Sequence, residues 1–205
     1  MLPASLFLGL LVLAVAAPVS AQPVAAAPGV ELRVGSGWGR LWDDETNLGT
    51  GVPITGGVAL HAGSRLRLGA DADWLHHNRN VRALNATGNA VSVFGRGTVL
   101  FGAANGRVRP FAGAGFGLVH STGEMQWTPG AAGTQGGSVL ASRTTWNATS
   151  PAYDLHAGLQ VPLHRRLATG VEYRWRATVG SGATSGVEPP FIGMQAVAHL
   201  DLRLK

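Results

Sequence analysis

Arg65-Leu66-Arg67-Leu68-Gly69-Ala70-Asp71-Ala72-Asp73-Trp74 is the stretch on which the fold turns. Leu66, Leu68, Ala70, Ala72 and Trp74 alternate with Arg65, Arg67, Gly69, Asp71 and Asp73, a period of two that belongs to a strand and not to a helix face. One side of that strand is greasy and the other is ionic. A soluble sandwich with one wet face shows the same alternation, so the segment defines the element and leaves its surroundings open.

Seven further segments of comparable length flank it. They run over about 30–42, 54–62, 91–101, 108–120, 153–163, 167–176 and 192–204, giving eight strands in all. In the first, Leu32, Val34, Trp38 and Trp42 oppose Arg33, Gly35, Gly37 and Gly39. The connections alternate too. Short turns are expected near 63–64, 104–106 and 164–166, and longer links over 43–53, 75–90, 121–151 and 177–190. Short and long connectors segregated to opposite ends are the pattern of an outer-membrane barrel.

Charge decides which way the sheet faces. One face carries both signs: Arg33, Arg67, Asp71, Asp73, Arg96, Asp154, His156, Glu172, Arg174, His199 and Asp201. The other is almost uncharged. In water the uncharged face must be covered, whereas in lipid it can point outward. An eight-stranded barrel is about wide enough to be filled by its own side chains, so these residues form a candidate polar network in a plugged lumen, which disfavours a porin.

Composition agrees with this. The chain has 205 residues, 30 of them Gly, with 45% apolar and only 13% charged side chains, too apolar for a disordered chain. There is no cysteine, which removes disulfides, thiolate metal sites and cysteine nucleophiles. The formal charge is +5, but Lys205 is the one lysine and the arginines are scattered, so no nucleic-acid partner is expected.

The amino terminus reads as an export signal. Leu6 to Ala17 form an apolar run, and Pro18, Val19, Ser20 and Ala21 supply small residues where a signal peptidase reads, placing cleavage before Gln22. The run falls short of the ~20 residues a spanning helix needs. The expected organisation is a signal peptide over 1–21, a flexible leader over 22–28 and a barrel over 29–205.

Arg109-Pro110-Phe111-Ala112-Gly113-Ala114-Gly115-Phe116-Gly117 resembles the Pro-aromatic-x-Gly-x-Gly strand of small bacterial outer-membrane barrels, the outer-membrane protein A and X type with the opacity-like surface proteins. Gly170-Val171-Glu172-Tyr173-Arg174-Trp175 is similar. The resemblance implies an all-β, eight-stranded, antiparallel up-and-down transmembrane barrel in the bacterial outer membrane. It implies contact with membrane lipid and lipopolysaccharide, and delivery by the outer-membrane assembly machinery. Family members usually end in an aromatic residue, where this chain has Leu204-Lys205.

Some barrels of this size modify lipid A, so seven histidines invite a search for a Ser, His and carboxylate set. The His-x-Ser-Asn stretch of the deacylases does not occur: Ala157 and Gly158 follow His156, and Ser121 and Thr122 follow His120. His156 and His199 share a face with Asp154, Glu172 and Asp201, which favours a structural hydrogen-bond network. His76 and His77 are adjacent at the start of an expected loop, a poor chelating arrangement and more simply exposed polar residues. Arg65, Arg107, Arg109, Arg165 and Arg166 gather at the short-turn end as solvated periplasmic charge.

In the longest link, Trp127 and Trp146 are the candidate surface contacts for a host or other surface ligand. The expected function is a non-enzymatic structural or surface-interaction barrel, without catalytic residues, metal or cofactor. A lipid A acyltransferase or deacylase and a soluble lipocalin-like carrier are the alternatives.

Overall fold

The computed structural model describes residues 29–43, 46–81, 84–103, 106–127, 142–179 and 191–204. The eight strands are β1 (Val30–Asp43), β2 (Thr46–Ala62), β3 (Leu66–Val81), β4 (Leu84–Leu100), β5 (Arg109–Trp127), β6 (Ser142–His164), β7 (Leu167–Thr178) and β8 (Phe191–Arg203). Each pairs antiparallel with the next, and β8 closes onto β1 from Glu31↔Arg203 to Asp43↔Phe191. Closure leaves no open sheet edge in the body of the wall, which a bilayer demands of any strand structure.

The chain enters and leaves at one end of the barrel. His61 N–H donates to the Gly29 carbonyl at 3.1 Å, and Leu204 N–H donates to the Val30 carbonyl at 2.8 Å. The connections 63–65 and 165–166 and the described residues 101–103 and 106–108 lie at this same end. Two of them turn on glycines in the left-handed region, Gly63 at φ 78° and Gly102 at φ 82°. Glycine also serves the tight curvature of so narrow a barrel. At Gly117 a Cβ would stand 1.9 Å from the Val93 carbonyl oxygen.

The two faces separate cleanly through the body of the wall. Leu32, Val34, Leu68, Val93, Phe116 and Val171 point outward, with Val34 61% and Phe116 65% exposed. Arg33, Asp71, Arg96, Asp154, Glu172, Arg174 and Asp201 point inward and are buried. A soluble barrel has the opposite arrangement.

The strands are longer than their apolar alternation suggests. The expected links 43–53 and 75–90 are mostly strand: β2 begins at Thr46, β3 continues to Val81 and β4 begins at Leu84. Likewise β5 reaches Trp127 and β6 starts at Ser142, which shortens the expected link 121–151 from both sides. The physical reason is a change of phase. In the far part of β4, Leu84, Ala86 and Ala90 are buried while Asn85 and Thr87 are exposed. In β3, Leu75 and His77 turn inward while His76 and Asn78 turn outward. The period of two persists, but the apolar positions have moved by one residue. Residues 1–28, where the export signal and leader are expected, and most of the two remaining links lie outside the described residues.

Candidate functional site

The lumen is built from every second residue of all eight strands. Near the short-turn end, Arg67 Nη1 donates to Glu31 Oε1 at 2.7 Å, and His61 Nε2 lies 2.9 Å from Glu31 Oε2. Further in, Arg33 donates from Nε to Asp201 Oδ1 at 2.7 Å and from Nη1 to Glu172 Oε2 at 2.9 Å. Gln160 and His199 also hold Asp201, at 2.6 Å and 3.1 Å.

Arg96 is the hub. It grips Asp154 through two nitrogens at 2.8 Å and 3.0 Å, reaches Glu172 Oε1 at 2.8 Å, and bonds Asp71 through Nη1. His156 bridges Asp154 Oδ1 at 2.9 Å and Thr98 Oγ1 at 2.9 Å. Arg174 Nε donates to Glu172 Oε1 at 2.6 Å. Higher still, Arg176 pairs with Asp73 and donates to Ser92 Oγ at 3.0 Å, while Gln195 Nε2 donates to Asp73 Oδ2 at 3.2 Å.

These contacts place all eleven residues singled out on the ionic face inside the barrel and in contact with one another or with near neighbours. Glu31 and His61 were not among them. Both were legible, since Glu31 lies two residues before Arg33 and His61 flanks Leu60 on the inward face. Buried ions are tolerated only where partners and hydrogen bonds replace water, and each lumen carboxylate here has a guanidinium within ion-pair distance. The space left over is small. Among the described residues, the cavity beside Arg33, Arg67 and Arg96 has a volume of about 10 Å³ and the one beside Asp73, Leu75 and Arg176 about 30 Å³, each room for a water or two.

Above the ions the lumen becomes apolar. Leu75, Ala90, Phe94, Val119 and Ala152 form one cluster, and Leu41, Leu48 and Trp146, with Met125 against them, form another. The Arg176 guanidinium lies 4.6 Å from the centre of the Phe94 ring and joins the ionic zone to the apolar one. Trp146 therefore corrects the sequence reading. It sits on β6, is 4% exposed, donates from Nε1 to Ser121 Oγ at 3.0 Å and stacks on His77 at 6.1 Å. It points into the lumen because the inward phase of Asp154 and His156 continues along β6 while the apolar side chains have moved onto that inward face, so it is no surface contact. Trp127, at the end of β5, is 43% exposed.

His77 is corrected for the same reason. It is fully buried, with Nδ1 3.2 Å from the Leu48 carbonyl, whereas its neighbour His76 is exposed and bonds Asn89. Arg109 is also buried and donates to the Ser64 carbonyl at 2.6 Å, so it braces the turn instead of lying in solvent. Among the described residues no group of three or more His, Asp or Glu side chains is placed to hold a metal ion.

A closed eight-stranded barrel with a greasy exterior and a lumen packed with paired ions is a transmembrane barrel of the bacterial outer membrane. Comparison with known proteins agrees. The model of the outer membrane protein beta-barrel domain matches residues 7–188, and the chain belongs to that family. Neisserial surface protein A is similar in structure, with a TM-score of 0.64 at 11% identity, covering 87% of this chain and 100% of the other. Ail, the attachment invasion locus protein of Yersinia pestis, gives a TM-score of 0.53 at 11% identity with the same coverage. It has also been solved in complex with the heparin analogue sucrose octasulfate, with a TM-score of 0.52 at 12% identity. No curated protein sequence matches the chain. The protein resides in the bacterial outer membrane.

Proposed function

We propose that this is a non-enzymatic barrel whose lumen is a structural plug and whose work, structural or adhesive, is done by the wall and links that rise above the membrane. The observation that carries this reading is the internal pairing of the lumen. Arg96 engages Asp71, Asp154 and Glu172 together, so the obvious acid, base and ligand groups of the barrel are already committed to one another. At and just above the edge of the apolar band, the outward histidines His76 and His120 bond Asn89 and Thr149, neither of which makes a nucleophile–base–carboxylate relay. Exposed Trp127 and the links beside it remain candidate contacts for a surface ligand.

Lipid A from cells with and without the protein, compared by mass spectrometry, is expected to carry the same acyl chains. A changed pattern would replace this reading with a lipid-modifying enzyme. The export signal belongs to the same proposal, and sequencing of the mature amino terminus is expected to begin at Gln22.

A further inference from the structure

The outward face of β3–β6 above the apolar band is a four-by-three array of polar side chains set by strand register. One row reads His76, Asn89, Thr122 and Asn147; the next, Asn78, Thr87, Glu124 and Thr145; the last, Asn80, Asn85, Gln126 and Arg143. Directly below lies a boundary row, with Trp74 and Val91 beside His120 and Thr149. With strands about 4.8 Å apart and same-face residues about 6.8 Å apart, the array spans roughly 14 Å by 14 Å.

Its chemistry is narrow. Amides and hydroxyls dominate, each able to donate and accept. The charged members, Glu124 and Arg143, are bound to each other. Thr87, Thr122, Thr145 and Asn147 make no side-chain hydrogen bond to any described residue, and all but the half-exposed Thr122 are exposed. Such a surface has little to offer a phosphate or a polyanion, which needs unpaired cations. Its area of about 200 Å² is far below the ~800 Å² per partner of a stable protein interface. It matches a ligand dense in uncharged hydroxyls.

Position selects the source. On β3 and β4 the array starts one residue pair above the last lipid-facing side chains, Trp74 and Val91, at the depth where the headgroups of outer-leaflet glycolipids emerge. We propose that this face binds the neutral saccharide portion of the surrounding lipopolysaccharide. The proposal rests on the membrane-spanning, surface-interaction reading above and names its partner.

The test uses the whole protein in nanodiscs made with lipopolysaccharide carrying its full core, with glycolipid truncated to lipid A and its innermost acidic sugars, or with phospholipid alone. The side-chain amide resonances of Asn89 and Asn147 are expected to shift only with the full core. Released core oligosaccharide added to phospholipid nanodiscs should shift the same signals, and the triple variant Asn89→Ala, Thr122→Ala, Asn147→Ala should weaken that binding at least tenfold. Equal shifts with truncated glycolipid would assign the contact to lipid A, and no shift in any disc would remove the site; either overturns the proposal. Heat-modifiable migration of the same samples separates these failures from loss of the barrel reading itself, since the substituted side chains point away from the barrel.

Discussion

The lower and upper parts of β3 are the same strand with its faces exchanged. Below, Leu66, Leu68, Ala70, Ala72 and Trp74 point out while Arg67, Asp71 and Asp73 point in; above, His76, Asn78 and Asn80 point out or lie at the rim while Leu75 and His77 point in. On β4 the change falls between Asn89 and Val91, and on β6 between Thr149 and Tyr153. The ladder runs through without a break, so the exchange is not a change of structure. It is a change of solvent. Where lipid covers the outside, apolar side chains face out and ions fill the middle; where water covers it, polar side chains face out and the apolar ones close over the lumen.

The two zones should respond differently to substitution, and the ionic one most strongly. Arg96→Ala removes the partner of three buried carboxylates and is expected to cost about 3–5 kcal/mol of stability, measured by denaturant unfolding in lipid vesicles. A loss below about 1 kcal/mol would mean that the lumen is wet. Phe94→Ala in the apolar plug should cost about 3 kcal/mol in the same assay, through lost contacts and a cavity above Arg176.

On the outside, one substitution at two heights sharpens the comparison. Ala70→Arg, placed against acyl chains, should cost about 2–4 kcal/mol, whereas Asn78→Arg on the same face should stay within about 0.5 kcal/mol. Equal effects would erase the boundary drawn between Trp74 and His76. His76→Ala, which loses a single exposed hydrogen bond to Asn89, should change stability least, by less than about 0.5 kcal/mol.

Most of the fold was legible because the lipid-facing signal is strong. The alternation of Arg65 to Trp74 and the arginines and carboxylates opposite the greasy face were enough to order eight strands and to gather the lumen residues. What sequence reading lost was the upper wall. A search for apolar residues on the outward phase stops at Trp74, because His76, Asn78 and Asn80 carry the outward phase in polar form. Asn85-Ala86-Thr87 and Asn147-Ala148-Thr149 hold the missing signal, with alanine buried between two exposed polar residues in each. Trp146 was misplaced by the same slip: an isolated tryptophan among Thr and Asn reads as a loop residue until the neighbouring strand puts Ser121 beneath its ring nitrogen.

The exchange of faces is tested most directly by nitroxide labels at Leu68 and Asn78, introduced one at a time into a chain that has no cysteine of its own. In vesicles, the label at Leu68 should collide readily with oxygen dissolved in lipid and be shielded from a water-soluble nickel complex, and the label at Asn78 should show the reverse. Equal nickel access at both sites would contradict the account.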